Sequence, residues 1–270
     1  MDHCQKRVWP DGWKFLEEIE ALSEEVSRDT DKQRELSGTK YPLTLENLGT
    51  LLSFLYRAAS CEWGCRGGDH QTEWLVGRVV NQGIASYRLL RSGFYDESLM
   101  LTRGIGEIAN LLWLFREEDE LEHWRTAERS DRLKHFSPAA VRKKLRSRMP
   151  IEPPISDSRY RQLCEVGSHP VPWIGPNLFS GSTRPILGHV VQPLGLMIAV
   201  NELCFAASVA APPVALLLNL KEEAADGLQK SWTAVFESIG GITIDRYHEF
   251  TSDKVKTAAA EAKQRSLMNS

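Results

Sequence analysis

No segment of this sequence alternates apolar and polar residues for long enough to build a sheet. The one candidate, Gly241–Asp245 (GITID), is too short. The nucleophile elbow G-x-S-x-G, the Walker loop, the H-E-x-x-H zinc helix and the glycine fingerprint of dinucleotide folds are all missing, which removes the enzyme classes that depend on them. Excess charge of one sign is missing too. The 33 basic and 36 acidic residues leave a net charge of −3, so no global field draws the chain to nucleic acid. There is no internal repeat and no low-complexity block. Cysteine is scarce and odd in number (Cys4, Cys61, Cys65, Cys164, Cys204), and the first twenty residues hold acids but no apolar stretch. A disulfide framework and a secretory leader are therefore not expected, and a reducing cytoplasm is.

One long uncharged run is present, from Leu203 to Leu220, preceded by Asn201 and Glu202. It approaches the length of a membrane span. The pair Pro212-Pro213 breaks it, and Ala and Ser dilute it, so two buried core helices meeting at the prolines are expected, with no membrane partner.

Helical spacing dominates what remains. Trp13, Leu16, Ile19, Leu22 and Val26 fall three or four apart, as do Leu45, Leu48, Leu52, Leu55 and Ala59 behind a candidate cap at Thr44. A third helix runs from about Gln71 to Ser92 and stops at Gly93. A fourth follows with Asp96 as its cap, then a polar segment over residues 117–136. The next helix starts at Ser137-Pro138, and shorter ones follow. The reading is all-α: a single-domain multi-helix bundle of about eight or nine helices over residues 1–245. Residues 246–270 read as a surface helix and polar tail.

Three places carry chemistry. The stretch CEWGCRGGDH at 61–70 offers Cys61, Cys65 and His70 as zinc ligands. Its plainer reading is a corner, with both thiols on one face of a continuing helix, Gly67-Gly68 ending it and Asp69 capping the next. No organic cofactor is expected. In the fourth helix, Arg103, Glu107 and Asn110 form one polar stripe among apolar residues. They make either a buried ion pair or a pocket for a small anionic ligand. Gly104 and Gly106 in that helix suggest close approach of another backbone. Across it could stand Arg78, Asn81, Gln82 and Arg88 of the third helix.

The third place is basic. Residues 125–148 hold nine Lys and Arg against Glu128 and Asp131. Arg142, Lys143, Lys144 and Arg146 are the densest part, suited to RNA phosphates or an acidic partner. The alternative is a solvated face balanced by the acidic run Glu117–Glu122. Aromatic residues are few there, so base stacking has little support. Among the histidines, His169 follows the end of a helix and precedes Pro170.

The segments CEWGCRGGDHQTEWLVGR and LLRSGFYDESLMLTRGIGEIANLLWLF resemble an uncharacterised family of bacterial helical proteins, over about residues 45–170. More loosely, SGFYDESLMLTR and YRQLCEVGSHP are similar to bundles of the HEPN type, some of which are RNases or parts of phage defence and toxin systems. That resemblance implies a metal-independent ribonuclease, often a homodimer, whose motif is an Arg and a His with four to six residues between them. Arg116–His123, Arg129–His135 and Arg184–His189 fit the spacing, while His169 does not. Arg129 and His135 lie inside the basic stretch and, with His169, are the candidate catalytic residues.

Overall fold

The computed structural model describes residues 12–36, 41–63, 70–148, 152–168 and 187–240. Among these residues every regular element is a helix: α1 (Gly12–Leu36), α2 (Tyr41–Ala59), α3 (Gln71–Arg91), α4 (Tyr95–Leu114), α5 (Glu118–Thr126), α6 (Arg129–Phe136), α7 (Pro138–Arg148), α8 (Asp157–Gly167), α9 (Pro193–Ala210), α10 (Pro212–Leu217) and α11 (Glu222–Ser238). The tail expected at 246–270 lies outside the described residues.

The centre is α4. It packs most extensively on α9 and α3, with α8 and α7 on its remaining flank, while α2 bridges α3 and α11. Leu99, Ile105, Ala109 and Leu112 of α4 are fully buried. Each of the larger ones contributes about 2 kcal/mol by leaving water. The all-round apolar composition of this segment is thus explained by neighbours on every side.

Two breaks raise the helix count above the sequence expectation. The polar segment 117–136 divides into α5 and α6 because Ala127 and Glu128 are extended. The last apolar segment divides at Asn219, which takes a positive φ of 50° between α10 and α11. The expected meeting of two helices at the proline pair is present, although Ala211 keeps helical angles, so Pro193–Leu217 runs as one 25-residue rod. By length and composition that rod would cross a membrane, but 78% of its apolar window is buried inside the protein. It is a core helix.

Two caps differ from expectation. Helix α2 starts at Tyr41, so Thr44 is inside it and buried, and its hydroxyl donates to the carbonyl of Ser238, 3.0 Å away. Phe94, not Asp96, is the residue before α4. The glycines also act differently. Space beside Gly104 is filled by the Gln82 side chain and beside Gly106 by that of Ile155, so neither admits a backbone.

Asn110 is 3% exposed and does not belong to an open polar stripe. Its amide donates to the Ile155 carbonyl and its oxygen accepts from the Ile155 N–H, both at 3.0 Å. Asn110→Ala would orphan both backbone groups in the interior. The expected cost is about 3 kcal/mol, read as a lower urea midpoint at unchanged slope.

Candidate functional site

The polar residues of α4 meet α8 because Gly167 has no side chain: a Cβ there would stand 2.8 Å from the Met100 nitrogen and 3.0 Å from the Asp96 oxygen. This seats Tyr160 and Cys164, one turn apart, over Arg103 and Glu107. The Arg103 Nε lies 3.4 Å from Glu107 Oε1, its Nη1 lies 3.7 Å from Cys164 Sγ, and the Tyr160 hydroxyl donates to Glu107 Oε1 at 3.0 Å. Burial, and then the negative charge of Glu107, push the Tyr160 phenol well above its ordinary value, so it stays a donor. Arg103 and Glu107 are about three-quarters buried. Arg103 and Glu107 form an ion pair on which the Tyr160 hydroxyl closes.

The basic stretch divides in three. Arg142 is 6% exposed, stacked 4.0 Å above the Tyr160 ring centre, and its Nε donates to Asp157 at 2.5 Å. It is an internal brace between α7 and α8, not a surface cation. Arg146 also pairs with Asp157, while Lys144 and Arg148 pair with Glu120 at 2.6 and 2.5 Å. Glu120, one residue of the acidic run, therefore balances part of the patch. Arg129, Arg132, Lys134 and Lys143 are exposed and make no ion pair within 4 Å among the described residues.

Beside those exposed cations the extended pair Ala127-Glu128 turns α6 back toward α5, and two histidines converge on one carboxylate. His123 Nε2 is 2.7 Å from Asp131 Oδ2, and His135 Nε2 is 3.3 Å from Asp131 Oδ1. The ring centres are 5.4 Å apart. All three side chains are 35–40% exposed, and Phe136 lies edge-on to His123. The hydrogen bond from His123 is the main reason the Asp131 carboxyl sits below its ordinary value. The Arg116–His123 match marks His123 in the sequence, whereas Asp131 enters only as an acid within the basic stretch, at the i, i+4 spacing that puts it on one helical face with His135. His169 lies outside the described residues. His189, the histidine of another motif match, is 7% exposed and bonded at 2.8 Å to the Ser92 carbonyl, a core position.

At the α2–α3 corner, α2 ends at Ala59 and Cys61 takes a φ of 62°. The expected continuation of this helix through the cysteine stretch therefore does not occur. His70, not Asp69, precedes α3, with a φ of 54°. Cys61 Sγ lies 3.5 Å from His70 Nδ1 and 4.0 Å from Glu73 Oε1, and His70 Nδ1 lies 3.5 Å from that same oxygen. Cys65 and Asp69 lie outside the described residues. No family model, curated protein or solved structure matches this chain.

Proposed function

We propose that the chain is a cytoplasmic, HEPN-like protein that binds RNA on its α5–α7 face and cleaves it without a metal. The observation that carries this reading is the single carboxylate shared by two half-buried imidazoles, in a stretch whose exposed cations make no ion pair within 4 Å among the described residues. His123 Nε2 is hydrogen-bonded to Asp131 and His135 Nε2 faces the same carboxylate, which leaves each Nδ1 for proton transfer. A neutral ring takes the proton from a ribose 2′-OH as its oxygen attacks the adjacent phosphorus. A protonated ring gives a proton to the departing 5′-oxygen, and the products are a 2′,3′-cyclic phosphate and a 5′-hydroxyl. Arg129 and Arg132, at the start and middle of α6, supply charge for the phosphate oxygens. The spacing of Arg129 and His135 is also that of the HEPN motif.

The test is cleavage of single-stranded RNA by full-length protein in the presence of a chelator. Cleavage with cyclic-phosphate ends is expected, and His123→Ala and His135→Ala should each slow it by about 10²- to 10⁴-fold with unchanged circular dichroism. A wild-type protein that leaves every RNA intact ends the proposal.

A further inference from the structure

The α2–α3 corner has features that RNA cleavage does not use. Glu73 is 3% exposed, and no Lys or Arg pairs with it within 4 Å among the described residues. A buried carboxylate needs a positive partner, because its charged form is costly away from water. The partners it has are an imidazole nitrogen and a thiol sulfur, two metal donors from different chain segments.

The geometry matches an ion. Tetrahedral zinc with sulfur at about 2.3 Å and nitrogen or oxygen at about 2.1 Å puts its ligand atoms about 3.4–3.6 Å apart. Two of the three separations here, both 3.5 Å, fall in that range, and the Cys61–Glu73 one, at 4.0 Å, is somewhat wider.

The surroundings hold the donors in place. The Trp63 carbonyl accepts from the Lys221 N–H at 3.4 Å, and the Trp63 ring packs on Phe54 at 5.1 Å, so the chain leaving α2 is pinned beside Cys61. Glu73 is in the first turn of α3, which fixes its carboxylate at the start of the helix beside His70. Cys61 and His70 both hold left-handed backbone angles that side-chain-bearing residues adopt at a cost. His70 is 45% exposed, which leaves a route for an ion from solvent.

We propose that Cys61, His70 and Glu73 form a divalent-metal site matched to zinc, which ties the end of α2 to the start of α3. Three protein ligands leave a fourth position for water or another donor. Glu73 is the ligand that spacing alone does not reveal, since it lies in a helix whose other polar residues look like ordinary surface.

The test titrates Co²⁺ into chelator-stripped, full-length protein. About one equivalent should give tetrahedral visible bands and a near-ultraviolet thiolate-to-cobalt band, both removed by zinc. Cys61→Ser should abolish the near-ultraviolet band. The near-isosteric Glu73→Gln, which preserves packing if the cysteine variant fails to fold, should weaken binding about 10-fold or more. No cobalt spectrum at stoichiometric concentration overturns the site. So does a Glu73→Gln protein that binds like wild type, since the ion would then sit elsewhere. RNA cleavage is assayed with chelator present, so each proposal can fail without the other.

Discussion

Asp131→Asn is expected to lower RNA cleavage by about 10³-fold or more while leaving the helices folded. One carboxylate holds both imidazoles, His123 at 2.7 Å and His135 at 3.3 Å. As a carboxylate it only accepts hydrogen bonds, so it selects the tautomer with the proton on Nε2 of His123 and leaves that ring's Nδ1 as the base, while it meets His135 through charge alone. An asparagine amide accepts on its oxygen but donates on its nitrogen. Its nitrogen, turned toward His123, would force that ring into the opposite tautomer, and both rings would lose the adjacent negative charge. Adding His135→Ala to Asp131→Asn should cost little more, because groups that act as a unit are not additive.

The effect separates from stability. With its carboxyl held below the ordinary value, Asp131 contributes to the fold above about pH 4 and loses that contribution as acid protonates it. The site is solvent-screened, so the contribution is small. Full-length Asp131→Asn melting near wild type with its cleavage intact would remove the shared carboxylate from the mechanism.

The local rules that proved legible in the sequence concern backbone geometry. Gly93 reads as a left-handed stop, and it stands at a φ of 85° with the Val190 backbone 2.7 Å from where a Cβ would be. Ser137-Pro138 reads as a helix start, and α7 begins at Pro138. Pro42, one residue into α2, carries the same kind of signal and marks the true start better than Thr44 does. What stayed hidden is pairing across the chain. Thr44 finds Ser238, Asn110 finds the Ile155 backbone and Arg142 finds Asp157, and no local period encodes such partners.

The candidate sites follow the same division. His135 and Cys61 were visible as residue types in a spacing. His123 was visible too, in the Arg116–His123 spacing, but its meeting with Asp131 was not, because the turn that folds α6 back on α5 is made by Ala127 and Glu128, with neither glycine nor proline to announce it. Glu73 was hidden in an amphipathic pattern in which a charged residue reads as surface, whereas its side chain is buried.

Glu202→Leu is expected to destabilise the protein by about 3–5 kcal/mol, and Arg159→Met in the same chain to recover much of that loss. Glu202, the one charge in the apolar rod, is 1% exposed and meets Arg159 of α8 in a two-pronged contact, Nε to Oε2 at 3.0 Å and Nη2 to Oε1 at 3.3 Å. The guanidinium carbon lies 3.7 Å from the Phe205 ring centre, and the Arg159 side chain is only 13% exposed. Leucine at 202 strands that cation in the interior, which costs more than the pair itself contributes. Removing both charges leaves two apolar side chains of similar volume, which cores accept. A coupling energy of about 2 kcal/mol or more in a denaturant double-mutant cycle is the expected readout. Additive substitutions would mean that the pair is solvated, and that Pro193–Leu217 owes its place in the core to its apolar residues alone.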